Sequence, residues 1–571
     1  MKLSNAKTRV ILALIILVSL GVSVFFLSVK QGYHEDELLT YNLANSSKQL
    51  SIGGWNTPED MNEYLAVTPE HRFDYAQVVR NQIIDASHPP FYYALVHTVC
   101  SFFPNVFSKW LAFAINVAMM TGALLMLFKI GKRVTGSNLY ALIAAGGYAL
   151  SIACITTTVY LRMYASLTFF VLTFINLTLW FYEKKKDVRL THCLVLLPVV
   201  TLGILTQYYF ILCAGLTGLV YLIFSIKEKN IRSLLLYIAT AVAGAGLALA
   251  IYPHIIQNVL GGNRGFGSLN FSVDAVTIVT YIFYKLGTYV QILAKDLFLN
   301  QIWLFCVCAA AALGFGVYFR FFKKKKLSRK ACFVVVPGLV FFLGISLVSP
   351  FNSDRYVMAS LPLIAMMFAF AFIKIVKLLK NEKLTLAVPA AMLLACVLGL
   401  LTVTPYYIYG KTNLYEPKTK DALFVGTAML EWNKCIDKFM LYDNTMIVQT
   451  SEMSHTLAEE LESFANARGV ITNGKITAFA DAYMNNGDVD REEGNSIQNL
   501  ASDARIQGEE ELTVYISRLA DSETVIRTIT QTTALKNCEL IQADYSFDEF
   551  YNWYDYFVET ESYCNVYRFY R

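Results

Sequence analysis

Residues 10–29 read VILALIILVSLGVSVFFLSV, and residues 33–44, just beyond, read YHEDELLTYNLA. The first stretch is free of charge and long enough to cross about 30 Å of hydrocarbon as a helix. Lys2, Lys7 and Arg9 precede it, as they would in a signal peptide. The apolar run has the spanning length, however, and no small-residue cleavage pattern follows it, so it reads as a retained anchor. The second stretch puts three carboxylates, Glu35, Asp36 and Glu37, a few residues past the end of that anchor.

The same kind of run recurs along the chain. Of 571 residues 56% are hydrophobic and 16% charged, whereas roughly a quarter of a soluble domain is charged. Spanning-length runs fall near 10–29, 110–128, 139–159, 164–182, 191–207, 209–226, 233–252, 302–320, 331–349, 356–376 and 384–408. The expected architecture is therefore a polytopic α-helical membrane protein of about 11 transmembrane helices. A further stretch, 271–294, is interrupted by Asp274 and Lys285 and followed by Lys295, and is expected to lie on the interface.

Basic residues decide the sides. Lys129/Lys132/Arg133, Lys184–Lys186 with Arg189, Lys227/Lys229/Arg232, Arg320 with Lys323–Lys326, and Lys374/Lys377/Lys380 occupy every second connection, together with the basic N-terminus. The alternate connections are nearly free of Lys and Arg. The positive-inside bias then makes the N-terminus cytoplasmic, and an odd span count puts the C-terminus outside. The net charge of +5 reports this orientation, not a nucleic-acid partner. A multi-pass plasma-membrane protein is expected, with a domain over 1–408 that carries large outer loops at 30–109 and 253–301, and an extracytoplasmic tail over 409–571.

The tail reads as a small α/β domain. Strands are expected over 512–518 and 563–570, with a helix over 522–536 between them, a helix over 454–467 and a polar loop over 485–508. Eight of the eleven cysteines lie in or beside apolar runs and read as small buried hydrophobes. Cys435, Cys538 and Cys564 in the tail allow at most one disulfide, and no pair has zinc-ligand spacing.

Candidate chemistry gathers on the side free of basic connections. The carboxylates at 35–37 repel one another unless a cation compensates. The plain alternative is a solvated helix start, where acids are favoured. Ser87-His88-Pro89-Pro90 precedes Phe91-Tyr92-Tyr93. The prolines suit a first helical turn, which leaves His88 unexplained. Arg162-Met163-Tyr164 and Asp354-Arg355-Tyr356 sit at the edges of apolar runs, where an arginine either snorkels to water or is paired. Gln207-Tyr208-Tyr209 is an interfacial belt or a sugar contact. Gly261–Gly267 is a lid or a linker, and His254 a surface residue or a metal ligand. The acidic triplet with His34 or His88 offers ligands to a divalent metal cation, but no spacing requires one.

Acidic residues after the first span, HPP followed by aromatics, RMY before the fourth span and RYV opening a late one together resemble the GT-C superfamily of membrane glycosyltransferases. The nearest likeness is to bacterial relatives of the protein O-mannosyltransferases and of the aminoarabinose transferase acting on lipid A. The resemblance covers roughly 1–408, and the tail matches no family. It implies a polyprenyl-phosphate-linked sugar as donor, an acceptor hydroxyl on a protein, lipid or cell-wall glycan, and inversion at the anomeric carbon. It implies Asp36 as the catalytic base. Glu37, His88, Arg162, Tyr164, Arg355 and Tyr356 would serve as substrate-binding residues. His88 departs from the lysine that the aminoarabinose transferase carries before its two prolines. A lipid transporter or flippase and a non-catalytic scaffold are the competing classes. The centres of all eleven runs lack Asp, Glu, Lys, Arg and His, which weighs against a conduction path.

Overall fold

A computed structural model describes residues 4–30, 35–47, 55–56, 65–260, 275–324, 327–349 and 353–378, short pieces between 394 and 405, and 422–425, 468–472, 475–480, 507–508, 510–517, 522–546 and 563–571. By length and composition, seven described helices can cross a membrane: Asn5–Val29, Lys109–Thr135, Tyr164–Asp187, Tyr209–Lys227, Ile231–Ile251, Ile302–Phe322 and Arg329–Leu347. The pair Asn138–Ala149 and Ile152–Val159 makes an eighth, bent by 58°. Leu190–Thr206 and Leu361–Val376 are shorter apolar helices. The first ten expected runs thus each have a helix, and the eleventh, 384–408, lies largely outside the described residues. The chain is a polytopic helical membrane protein.

The departures from the expected spans have local causes. The 139–159 run breaks because Ser151 caps a new helix, its hydroxyl accepting from the Cys154 amide at 3.2 Å. An apolar window cannot register a cap. Near Pro337, which brings no N–H, the chain widens into a π-helical turn over Val336–Val340. The late helix starts at Leu361 rather than 356, because Asp354–Tyr356 forms a 3-10 turn ahead of it. The expected interfacial helix is Ala275–Leu297, and one face of its later turns packs against the protein: Lys285, Thr288, Tyr289, Ile292 and Asp296 are buried, whereas Phe283, Tyr284, Gly287 and Gln291 are exposed.

The chain forms two compact units. The first comprises 1–28, 78–99 and 108–408, and the second 29–77, 100–107 and 409–571. Residues 29–77 and 100–107, grouped by sequence with the membrane domain, therefore cluster with the tail. In the first unit Tyr164–Lys184 is the central helix, buried on nearly every face. Lys109–Thr135 lies against it closely enough that a side chain at Gly122 would meet the Phe169 ring at 2.6 Å. Ser19 of the first helix donates to Ala149 O at 2.7 Å and so ties that helix to the break.

Four of the basic connections meet in this unit. Glu183 pairs with Arg133 and, at 2.6 Å, with Lys330. Glu228 pairs with Arg329 and with Lys185 at 3.0 Å, and accepts from the Tyr182 hydroxyl at 2.6 Å.

The second unit holds a seven-stranded sheet of order β1-β3-β4-β2-β5-β7-β6. Its strands are β1 (Trp55–Asn56), β2 (Ala422–Val425), β3 (Arg468–Thr472), β4 (Lys475–Ala480), β5 (Glu511–Ser517), β6 (Asn537–Ser546) and β7 (Tyr563–Tyr570). β5, β7 and the helix Ser522–Thr532 match expectation. β6 is an addition, formed where the expected helix gives out. The expected helix 454–467 lies outside the described residues, as does nearly all of the polar loop 485–508. Arg568 joins Glu539, its neighbour across β6, to Glu511 on β5. Cys538 faces Phe569, not Cys564, in the register, and it is a free thiol.

Candidate functional site

Each unit holds part of the expected constellation. In the second unit the helix Glu35–Asn45 opens on the acidic residues. Asp36 is 7% exposed, and its backbone carbonyl accepts from the Thr40 hydroxyl at 2.9 Å. Glu37 is fully buried, both its oxygens on the Lys30 ammonium at 2.5 and 2.6 Å. The compensating cation is therefore a lysine seven residues earlier, which in the sequence passes for a membrane flank. The carboxylate of Glu37, expected to bind substrate, is directed at Lys30. The helix is anchored by Tyr41, whose ring meets Phe107 at 4.9 Å, and by Asn45, which donates to Leu65 O at 2.8 Å.

In the first unit the segment Asp85–Pro90 is a built turn. Ala86 takes a left-handed φ of 51° after the helix Tyr75–Asp85 ends. Ser87 N donates to Asp85 Oδ2 at 3.2 Å, and His88 Nδ1 lies 2.9 Å from the same oxygen. The prolines then lead into the helix Phe91–Ser101, as expected. Tyr92 donates to Asn116 Oδ1 at 3.0 Å, and Asn116 Nδ2 donates to Tyr160 O at 2.6 Å. These bonds fix the link between Ile152–Val159 and Tyr164–Lys184, which carries Arg162.

Arg162 does not snorkel. It is 2% exposed, with Nη1 donating to the Tyr93 hydroxyl at 3.3 Å and Nη2 lying 3.3 Å from His88 Nε2. Tyr164 stacks on Tyr160, ring centres 5.8 Å apart. Arg355 is half-buried, its guanidinium 5.3 Å from the Tyr356 ring centre. Tyr209 joins the two arginine-bearing turns: its ring lies 6.0 Å from Tyr356, within electrostatic reach of Tyr164 and Arg355. The structure thus brings His88 to Arg162, and gathers Tyr164, Arg355 and Tyr356 about Tyr209.

Some site groups escaped sequence reasoning. Asp85 precedes His88 by three residues, a spacing too common to notice. Asp296 is buried at the end of Ala275–Leu297, and its carboxylate makes no hydrogen bond among the described residues. Asp354 and Lys295 are the charges acting on it. Tyr208, beside the joining Tyr209, accepts from Asn258 at 3.1 Å. His254 lies 5.6 Å from the Tyr252 ring. Among the described residues no three His, Cys, Asp or Glu side chains are placed to hold a metal ion. His34 and the Gly261–Gly267 segment lie outside the described residues.

A bundle of apolar helices with arginines at the turns between them defines a multi-pass membrane protein. No protein-family model matches the chain, and no curated protein matches it in sequence. Among solved structures it is similar to ArnT from Cupriavidus metallidurans bound to undecaprenyl phosphate, at 12% identity over 97% of both chains with a TM-score of 0.45. It is also similar to an oligosaccharyltransferase from Archaeoglobus fulgidus tethered to an acceptor peptide, at 13% identity and a TM-score of 0.40. There it covers 76% of this chain and 62% of that one, less than two thirds of the archaeal protein. A third is AglB from the same archaeon with an inhibitory peptide and a dolichol-phosphate, at 12% identity, a TM-score of 0.40, and coverage of 77% and 64%.

Proposed function

We propose that the chain is an inverting glycosyltransferase that moves a sugar from a polyprenyl-phosphate carrier to an acceptor hydroxyl on the outer face of the membrane. The observation that carries this reading is Arg162: a guanidinium buried between apolar helices and aligned by His88 and Tyr93. A cation buried at such a site is a candidate ligand for an anion, and a lipid phosphate is an anion delivered at that depth. Arg355, beside Tyr356 and joined to the same region through Tyr209, supplies the second charge. The motif set supports the same reading.

The acceptor oxygen attacks the anomeric carbon as the bond from that carbon to the phosphate oxygen breaks. The electron pair leaves with the phosphate, and the hydroxyl proton passes to Asp36. Glycoside hydrolases need an acid as well as a base because an alkoxide leaves poorly. A phosphate leaves readily, so one base and fixed positive charge suffice. The base contributes about 100- to 10,000-fold, and the arginines stabilise charge developing on the phosphate. Glu37, paired with Lys30, holds the segment that carries Asp36. Tyr164 and Tyr356 orient the phosphate. The scheme needs no divalent cation.

Radiolabelled polyprenyl-phosphate sugars offered to the purified protein test this, with and without a chelator. Asp36→Asn should lower donor turnover by at least about 100-fold while leaving the elution profile and thermal transition unchanged. Turnover retained by that variant eliminates Asp36 as the base. One observation favours a flippase instead: a buried carboxylate at Asp296, within electrostatic reach of Tyr148 in the bent span. A flippase predicts lipid movement across vesicles that survives Asp36→Asn.

A further inference from the structure

Arg162 is held by a histidine that is itself held. Arginine has only donors, so a bond from Nη2 to His88 Nε2, 3.3 Å away, requires that nitrogen to accept. Nδ1 faces Asp85 Oδ2 at 2.9 Å, so the arrangement suits the tautomer with its one N–H on Nδ1, in which the ring bridges a carboxylate to a permanent cation. An imidazolium would set N–H against N–H at Nε2 and break the chain. Asp85 is fixed in turn by the Ser87 amide, with Tyr208 and Tyr252 in electrostatic reach. On the other side the Tyr93 ring stands 6.2 Å from His88, and its hydroxyl accepts from Arg162 Nη1.

We infer that Asp85 is a positioning residue: by holding His88 in its Nδ1–H form it turns the Nε2 lone pair toward Arg162 and so sets the plane of the anion-binding guanidinium. His88 then contributes alignment, and the positive charge offered to the anion is that of Arg162. This rests on the reading of Arg162 as a ligand of the donor phosphate. Asp85→Asn has nearly the same size and keeps an oxygen for Ser87. Its amide can donate to Nδ1, however, which favours the Nε2–H tautomer and opposes Arg162, as a wrong tautomer does in a catalytic triad.

The test uses the full chain in nanodiscs with 15N-labelled histidine, His88 being assigned by the signal lost in His88→Gln. The wild type should show a protonated Nδ1 and an accepting Nε2 at neutral pH, and Asp85→Asn should lose that pattern. Donor KM should rise about 10- to 100-fold, by analogy with the loss of residues that orient metal ligands, with kcat at saturating donor changing less and Asp85→Glu recovering most of the loss. A wild-type His88 protonated on Nε2 overturns the inference. So does an Asp85→Asn protein that melts lower but keeps the wild-type histidine pattern and donor KM, since that marks a purely structural role. If no sugar is turned over, it is the glycosyltransferase reading that fails. The histidine spectra and the thermal shift on adding a bare polyprenyl phosphate still decide the role of Asp85: altered spectra with a weaker shift in Asp85→Asn support it, and unchanged ones overturn it.

Discussion

At the scale of single residues, the two most consequential pairings involve groups that nothing in the sequence links. Lys30 closes an apolar run and Glu37 stands in an acidic one, yet they meet fully buried. Removing one partner of a buried pair leaves the other charge without compensation, at a cost of about 3–5 kcal/mol. Lys30→Met should therefore lower the thermal transition markedly in detergent. Lys30→Met combined with Glu37→Leu should recover much of the loss, which a double-mutant cycle measures. An equal or deeper loss in the double variant would show that the pair does more than neutralise itself. The Asp85–His88–Arg162 chain differs in kind, because it spends its hydrogen bonds on aligning one cation and not on cancelling it. Elsewhere in the second unit, burial pushes the Cys100 thiol up to about 12, against a lowering hydrogen bond from Asn45. That thiol should stay unmodified by maleimide in the folded protein and react after denaturation.

Helices in this protein meet where side chains are small and carbonyls can be shared. Gly244 faces the helix Leu190–Thr206 so closely that a side chain there would meet Val200 Cβ at 2.9 Å and Leu197 O at 3.1 Å. Thr201 donates to Gly244 O at 2.9 Å across the same seam. Close backbone approach of this kind is what small residues permit between membrane helices. Gly244→Val should part these helices and destabilise the protein by about 1–3 kcal/mol, read as a lower transition temperature, while Gly246→Val, with open space around it, should change little. The cap at Ser151 belongs to the same scale: one hydroxyl divides an apolar run into two helices bent by 58°. The 3-10 turn at Asp354–Tyr356 likewise keeps Arg355 ahead of its helix rather than inside it.

For the molecule as a whole, the basic connections from which an orientation is proposed also hold the helices together. Burial would raise the Glu228 carboxyl, but hydrogen bonds from Tyr182, Lys185 and Arg329 outweigh it and hold the group below its ordinary value. A depressed folded value means that this contribution is complete above the unfolded value, about 4.3, and is lost as pH falls through the lower folded one. Acid titration of stability should therefore steepen below about pH 4, and Glu228→Gln should flatten that part of the curve. The proposed topology is tested separately by single cysteines in intact cells: one at Lys186 should resist an impermeant maleimide, and one at Glu510 should react. The reverse pattern would invert the proposed orientation and move the proposed chemistry to the cytoplasmic side.

The described helices, their limits to within a few residues, the alternation of basic ends and two inner strands of the tail sheet, β5 and β7, were all legible in the sequence. Each depends on local quantities: hydrocarbon thickness sets the length of an apolar run, positive charge is biased to one side, and strands alternate along a few residues. Asp36, His88, Arg162 and Arg355 could be singled out for a related reason, since a charge at the margin of an apolar run is conspicuous wherever it falls. What such a charge touches is a different matter, because a buried polar group takes whichever partner the packing brings, from any distance along the chain. Only the tertiary structure could join Lys30 to Glu37, aim His88 at Arg162 through Asp85, and set Tyr209 between two arginine-bearing turns. Only it could bury one face of Ala275–Leu297 and bring residues 55–56 into a sheet with the tail.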